Sequence, residues 1–513
     1  MAETKREIER KYDATGDDVR LPGLTGVPGV ARVAERGVAE LDAVYYDTQD
    51  LRLAADSLTL RRRTGGDDAG WHLKFPVATG IRDEIRAPLS PDVPSSLTAL
   101  LRSRVRGGRL DPVVRLVSSR EVRHLLGEDG TPLAEVSVDS VRAVRLGPGR
   151  AGATATWTEV EVELADGADP ALLDRVDKRL RKAGLRPARS ASKLARALAE
   201  TAPAVPDLPE PRAVEHTGGP TAGDHVLAYL RAQRDALVAH DPAVRRDLPD
   251  AVHQMRVASR RLRSALKSYG KVLDRTVTDP LGEELKWLAG ELGVDRDQEV
   301  LTERLQSRVA ALPRTLVLGP VRGRLRRWSV ARRADARRTT LAALDSPRHL
   351  ALLDALDALL AAPPLRPAAH RPAAKVLPKA VLKDYERLAG RIAHALELAP
   401  GDRRDRALHD ARKAAKRVRY AAEAAAPALG APARKFAKRM KAVQKLLGGH
   451  QDSVVAREAL RALAVQAHLA GESAFTWGLL YGQEEAAGAD GERELPEVWR
   501  TASRPKPRRR LRA

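Results

Sequence analysis

No cysteine occurs among the 513 residues of this chain. Disulfides, thiolate metal centres and a cysteine nucleophile are therefore excluded. Aromatic residues amount to only 3%, so any core has to be built from Leu, Val and Ala. The same scarcity argues against a single-stranded nucleic-acid binder, which usually stacks bases on aromatic rings. No uncharged apolar run approaches the length of a membrane span. The first residues are charged and no apolar leader region follows, so a secretory signal is not expected. A GxxxxGK[ST] phosphate loop is absent, and no nucleophile triad spacing is evident.

Charge is abundant but unevenly placed. Residues 1–200 hold 33 Lys and Arg against 31 Asp and Glu, which leaves 57 against 37 beyond residue 200. Most of the formal net charge of +22 thus belongs to the second part. A basic field of that size favours polyanions such as nucleic acid, polyphosphate or an anionic membrane surface.

The first part reads as short alternating strands with turn signals such as Gly65-Gly66 and Asp129-Gly130. Several of these strands carry charge on one face. In Glu7-Ile8-Glu9-Arg10-Lys11 two acids and a base share a side, because successive strand side chains alternate. Thr158 to Glu163 puts Glu159, Glu161 and Glu163 opposite Val160 and Val162. Arg61 with Arg63, Lys74, and Arg82 with Glu84 and Arg86 repeat the pattern. Strands that turn charge toward a common interior line a polar tunnel. Carboxylates beside bases suit a hard cation next to phosphate oxygens. Helical spacing of Leu172, Leu173, Val176 and Leu180 predicts a helix within 170–200.

These residues, together with Tyr45-Tyr46-Asp47-Thr48, the segment from Val114-Arg115 to Arg120, Glu135 with Asp139, and Ser192-Lys193, resemble the CYTH family, the triphosphate tunnel metalloenzymes. The motifs follow the family's order across most of residues 1–200. The resemblance implies an antiparallel β-barrel whose tunnel binds a triphosphate with one or two Mg²⁺ or Mn²⁺ ions. Family members hydrolyse inorganic triphosphate, thiamine triphosphate or RNA 5′-triphosphates, and some cyclise ATP. On this basis Glu7, Glu9, Glu159 and Glu161 are the expected metal ligands, and Glu163 helps position water. Lys11, Arg61, Arg63, Lys74, Arg82, Arg115 and Lys193 are expected to neutralise phosphate, with Glu84 in the same catalytic set.

From about 201 to 223 the chain is rich in Pro, Gly and Ala and reads as a linker. Good helix formers dominate thereafter. Within them lies an internal repeat. His253-Gln-Met-Arg256-Val-Ala-Ser-Arg260-Arg261-Leu-Arg263 matches His409-Asp-Ala-Arg412-Lys-Ala-Ala-Lys416-Arg417-Val-Arg419. Further on, Leu292-Gly293 with Asp297 matches Leu447-Gly448 with Asp452. At 100° per residue, His253, Arg256, Arg260, Arg263 and Lys267 fall within about 80° of one another. His409, Arg412, Lys416 and Arg419 make the equivalent stripe, while Leu262, Ala265, Leu266 and Tyr269 lie across the helix. Stacked cations repel unless an anion or carboxylates lie against them, and Arg and Lys suit phosphate. Asp297 and Asp452 are placed to orient the arginines.

The repeat resembles the CHAD family of conserved-histidine α-helical domains over about Asp224 to Leu480. That resemblance implies two pseudo-symmetric helical bundles enclosing a basic cavity for inorganic polyphosphate, held by the nine stripe residues from His253 to Arg419. Glu423 departs from the pattern, standing where a cation is expected opposite Lys267.

The expected fold is therefore α+β in two domains. A tunnel domain spans 1–200, a linker 201–223, a helical domain 224–482, and an acidic then basic, disordered tail 483–513. The expected function is a polyphosphate-binding, Mg²⁺- or Mn²⁺-dependent triphosphatase in the cytoplasm, associated with polyphosphate granules and not with a membrane. A non-catalytic polyphosphate-targeting protein, a nucleic-acid binder and an adenylate cyclase are the alternatives.

Overall fold

The structure, a computed structural model, describes residues 3–14, 21–146, 152–201 and 219–512. The chain divides into two compact units, 1–213 and 214–513. Most of the expected linker, 202–218, lies outside the described residues.

The first unit contains strands β1 (Glu3–Asp13), β2 (Arg32–Asp47), β3 (Thr59–Thr64), β4 (Gly70–Ala78), β5 (Ile81–Ala87), β6 (Asp111–Leu126), β7 (Pro132–Arg145), β8 (Thr154–Leu164) and the two-residue β9 (Arg186–Pro187). Its helices are α1 (Arg52–Ala55), α2 (Ser95–Val105), α3 (Ala171–Lys182) and α4 (Lys193–Glu200). The eight long strands pair in the order β5-β4-β3-β2-β6-β7-β8-β1, and β1 returns to β5, closing an antiparallel barrel. Strand β1 closes it by changing partner. Residues Glu3–Ile8 pair with β5, and Glu9–Asp13 pair with β8. The change falls where Glu9 N–H donates to the Gly80 carbonyl at 2.8 Å. A Cβ on Gly80 would stand 2.7 Å from the Glu9 carbonyl oxygen, and its φ of +71° is left-handed, so this turn requires glycine.

Apolar side chains face outward from this barrel as well as inward. Val160 and Val162 lie outside, under Leu172, Leu173, Val176 and Leu180 of α3. On another side Leu60, Trp71, Leu73 and Ile85 pack with Leu97 and Leu101 of α2. Covering helices therefore let the alternating strands bury both faces, which leaves the inner face free to carry charge. One end of the interior is apolar. Tyr45, Leu116, Val141, Ala143 and Trp157 meet Leu194 and Ala197 of α4 there. The stretch predicted to be helical over 170–200 is thus two helices with separate tasks, and β9 stands between them.

The second unit is helical: α5 (Ala222–Arg245), α6 (Ala251–Ser268), α7 (Arg275–Ala311), α8 (Val321–Asp345), α9 (Pro347–Ala361), α10 (Ala373–Glu397), α11 (Asp402–Leu429), α12 (Ala431–Leu469), α13 (Phe475–Ala502) and α14 (Pro505–Arg512). The two histidine helices of the repeat are α6 and α11, followed by α7 and α12 as the matched partners. Both halves feed one core, in which Met255, Leu262 and Leu266 join Leu408, Val418 and Met440. The Tyr269 hydroxyl donates to the Ala421 carbonyl at 2.6 Å and ties α6 to α11.

The expected disordered tail is instead ordered helix. Glu484 of α13 is fully buried and receives Arg308 at 2.8 Å as well as Arg304. Beyond Pro505, Leu511 enters the main core and Arg508 lies over the Tyr385 ring at 4.6 Å. The run of arginines in the tail conceals one apolar anchor and one stacking contact, and these hold α14 in place.

Candidate functional site

The charged inner faces of the barrel strands surround a cavity of about 640 Å³. Ten Lys and Arg and eight Asp and Glu line it. Of the residues singled out in sequence, Glu7, Glu9, Lys11, Arg61, Arg63, Lys74, Arg82, Glu84, Glu161, Glu163 and Lys193 all reach this wall.

Register explains the convergence. Glu7 stands opposite Arg82, Glu9 opposite Glu163, and Lys11 opposite Glu161. Lys74 stands opposite Glu84. Each carboxylate then has a cation beside it. Glu7 accepts from Lys74 at 2.6 Å, Lys11 lies 3.0 Å from Glu9, and Lys5 lies 2.5 Å from Glu163. Glu161 is held by Lys11, by Arg120 at 2.9 Å and by Lys193 at 2.8 Å. Lys193 opens α4 just after its cap, where Ser192 Oγ accepts from Ala195 N–H at 3.1 Å. Its ammonium also lies 3.0 Å from Asp139 and 2.7 Å from Glu159.

Burial and these contacts set the protonation. Burial opposes charge on Glu161, yet Lys11, Lys193 and Arg120 hold its carboxyl well below the usual range. Glu9 is likewise lowered against its burial, chiefly by Lys11. Glu7 moves upward because burial outweighs Lys74 and neighbouring acids add to it. Arg63 is brought down to about 9 by burial and by Arg61 and Arg120. Burial takes His72 down to about 4. Its Nδ1 lies 2.8 Å from Glu84 and its Nε2 2.9 Å from the Asp68 carbonyl, so the ring is a strut for Glu84.

Two expected residues are elsewhere. Arg115 points outward from β6 and grips Asp42 at 3.0 Å from Nε, half exposed. The inward positions of β6 are Arg120, Val122 and His124, which line the cavity. Arg115 differs from Arg120 by an odd number of residues, so the pleat places them on opposite faces. Glu159 is not on the wall. It lies deeper in the barrel, beside the apolar end of the interior, accepting from the Trp157 indole N–H at 2.7 Å. The four expected metal ligands therefore do not form one cluster. Among the described residues, the acidic group within reach of one ion in this unit is Asp139, Glu159 and Glu161, and Lys193 stands among them. The wall itself offers Glu7, Glu9, Glu161 and Glu163. All are carboxylate donors without imidazole or thiolate, which fits a hard divalent cation.

In the helical unit the repeat places α6 against α11. Arg256 is bidentate to Asp297 at 2.6 and 3.1 Å, and Arg412 lies 3.8 Å from Asp452. A methyl on Gly293 would meet Arg256 Nη2 at 3.0 Å, whereas one on Gly448 would find Arg412 no nearer than 3.7 Å. The bare helix backbone at Gly293 is therefore the bed on which the Arg256 guanidinium lies. Lys416 carries no ion pair among the described residues. Burial, then Arg412, Arg260 and Arg256, push its ammonium down to about 6. Arg260 is lowered too, by burial first and then by Arg256 and Arg412 against the help of Tyr420. These four cations form the centre of the two stripes. The outer members are tied to acids: Lys267 to Glu283 at 3.4 Å, Arg263 to Glu283 at 3.8 Å, and Arg419 to Glu423 at 3.1 Å. His253 and His409 flank the centre, and burial lowers both.

Residues 5–198 match the CYTH domain, and residues 228–461 match the CHAD domain. The chain is 42% identical over 510 residues to "Uncharacterized protein MT2285" of Mycobacterium tuberculosis (strain CDC 1551 / Oshkosh), covering 96% of this chain and 95% of that relative.

This chain is a CYTH–CHAD protein.

Its CYTH unit belongs to the triphosphate tunnel metalloenzymes, a metal-dependent family. Solved structures similar to the chain include PptA from Streptomyces chartreusis, at 25% identity and a TM-score of 0.46 over 55% of this chain and 99% of that one. The CHAD domain from the plant Ricinus communis matches at 26% identity and a TM-score of 0.40, over 57% and 92%. HpAC1 from Hippeastrum, described as having a dominant triphosphatase activity, matches at 18% identity and a TM-score of 0.24, over 38% and 95%. None of the described helices of this CYTH–CHAD protein is long and apolar enough to cross a membrane.

Proposed function

We propose that the CYTH unit hydrolyses the terminal phosphoanhydride of inorganic triphosphate or a related triphosphate, and that the CHAD unit holds inorganic polyphosphate. One observation carries the first part. Ten residues from five strands, with Lys193 of α4, turn inward on one chamber whose bases outnumber its acids by only two. Such a surplus is too small to neutralise a triphosphate alone, and it leaves carboxylates available for a cation that arrives with it. Arg61, Arg63, Lys74, Arg82, Arg120 and Lys193 bind and align phosphate oxygens, which is most of what phosphoryl transfer asks of a protein. Lys11 belongs to the same cage. Glu7, Glu9, Glu161 and Glu163, no three of which lie within reach of one ion by themselves, would hold Mg²⁺ or Mn²⁺ jointly with the phosphate oxygens. When bound, that ion supplies Lewis-acid polarisation of the phosphoryl group and a more acidic water. Glu163 orients the attacking water. Water oxygen bonds to the terminal phosphorus, the bridging P–O bond breaks, and orthophosphate and pyrophosphate leave from inorganic triphosphate.

The CHAD proposal rests on Arg256, Arg260, Arg412 and Lys416. The three arginines crowd around Lys416 and disfavour its ammonium, and neither Lys416 nor Arg260 has an ion-pair partner among the described residues. A polyanion threaded along α6 and α11 relieves that repulsion.

The place of the Lys193 ammonium among three carboxylates favours a second reading, in which the tunnel binds an anion without turning it over. A panel of inorganic triphosphate, thiamine triphosphate, ATP and long-chain polyphosphate, each with Mg²⁺ and Mn²⁺, separates the two by released phosphate. Metal-dependent release from inorganic triphosphate is the expected result. Binding without release from any member supports the second reading.

A further inference from the structure

The Leu447…Asp452 segment contains a histidine that the polyphosphate stripes do not use. His450 lies in the middle of α12 and is 4% exposed. Its Nε2 faces two carboxylates from different helices, Asp405 Oδ1 of α11 at 3.3 Å and Glu492 Oε1 of α13 at 3.2 Å. In the other half of the repeat the equivalent position is Asp295, so this arrangement occurs once.

We infer that Asp405, His450 and Glu492 form a second metal site, for a zinc-class divalent cation rather than Mg²⁺. Geometry is the first argument. A charge-assisted N–H···O bond closes to about 2.7–2.9 Å, and a single N–H cannot point straight at two oxygens. The observed separations are longer and nearly equal. They match the edge of a tetrahedron around an ion with bonds of about 2.0–2.1 Å, which is roughly 3.3 Å.

The outer oxygens give a second argument. Glu492 Oε2 is held by Arg404 at 3.0 Å, and Asp405 Oδ2 by Arg457 at 3.1 Å. Each carboxylate is thereby fixed from behind with its inner oxygen turned toward His450, which is how outer-shell partners orient metal ligands. Access is the third. A cavity of about 650 Å³ reaches all three ligand residues, leaving room for water in a fourth position. The two guanidiniums already balance the two carboxylates, so the site offers little bare charge to a hard ion. Imidazole bonding then decides selectivity, and it favours zinc-class ions.

The test uses the full chain with Glu9→Gln and Glu161→Gln, which removes two of the four wall carboxylates and so weakens metal binding in the tunnel. Calorimetric titration near neutral pH is expected to show one Zn²⁺ per chain and no Mg²⁺ in the helical unit. His450→Gln or Glu492→Gln should weaken Zn²⁺ binding by about tenfold or more. Co²⁺ gives an independent signal, the visible absorption of a tetrahedral site, and it should vanish in both variants. Should His450→Gln fail to fold, Glu492→Gln carries the comparison alone. Undiminished zinc binding in folded variants, or no uptake from micromolar Zn²⁺ by the parent, overturns the inference.

Discussion

The Lys193 ammonium lies 2.7 Å from the Glu159 carboxylate, on the side of it that Asp139 and Glu161 also face. A side chain thus stands where a three-carboxylate cation site would otherwise be. Breaking a buried ion pair leaves uncompensated charge, at a cost of about 3–5 kcal/mol. Lys193→Met should lose stability of that order in urea unfolding. Ca²⁺ or Mn²⁺ should restore part of it by filling the vacated place. A variant as stable as its parent and indifferent to metal would show that the ammonium is not the counter-ion.

Inward Arg120 and outward Arg115 make a matched pair of controls. Arg120→Ala removes a donor from the chamber wall and should reduce kcat/KM for phosphate release by about a hundredfold, as loss of one preorganised donor typically does. Arg115→Ala should stay within about twofold, since its partner is Asp42 on the outer surface. A reversal of the two effects would contradict the register of β6.

Glu9→Gln and Glu161→Gln should each abolish Mg²⁺- or Mn²⁺-dependent phosphate release while sparing polyphosphate binding. Arg256→Ala combined with Arg412→Ala should do the opposite. Phosphate-release assays and polyphosphate titrations on all the variants check the separation of tasks. Turnover retained by both glutamate variants would end the case for catalysis in the tunnel.

Lys416, brought down to about 6 by burial, Arg412, Arg260 and Arg256, is neutral at pH 7.5 in the free protein. A bound polyanion favours the ammonium, so binding takes up a proton and affinity rises as pH falls toward 6. Calorimetry in buffers of different ionisation heat should report this uptake, and Lys416→Met should remove it. In the absence of ligand the sign for folding is separate. The unfolded lysine keeps its proton up to its ordinary 10.5, so the lowered folded value costs stability below that pH, and stability rises with pH from about 6 upward.

The two repeat glycines should respond differently. Gly293→Ala suits a helix better than glycine does, but its methyl would displace the Arg256 guanidinium. Polyphosphate binding should weaken several-fold with stability kept. Gly448→Ala, with more room, should change little. Equal effects on titration would mean that the arginine does not depend on its glycine bed.

Much of this was legible in the sequence because strand parity and helix periodicity are exact in a buried setting. The alternation in Glu7-x-Glu9-x-Lys11 placed three side chains in one chamber, and the three-four spacing from His253 to Lys267 placed one stripe on one helix face. Arg120 was missed because the face it shares is marked by burial and not by residue type. Val114, Leu116 and Ser118 share its parity and are buried, whereas Arg115 and Val117 are exposed. Pattern alone did not say which parity faced inward. Glu159 shares the parity of Glu161 but sits toward the apolar end of the barrel, and depth along a strand leaves no mark in alternation. Asp405, His450 and Glu492 come together from three helices, and no spacing in the chain announces such a meeting. The tail reads as disordered because its composition is polar, while a few residues, Glu484, Leu495, Ala502, Arg508 and Leu511, hold it.

Strand β1 carries Glu7, Glu9 and Lys11 and is also the stave that joins β5 to β8. Its second partner lies some 150 positions downstream, so a ribosome must release β8 before the ring can shut. Until then Lys11 and Arg120 lack the Glu161 carboxylate they share, and Lys5 lacks Glu163. Maturation of the chamber and completion of the barrel are accordingly a single late event, gated by the pairing of β1 with β8.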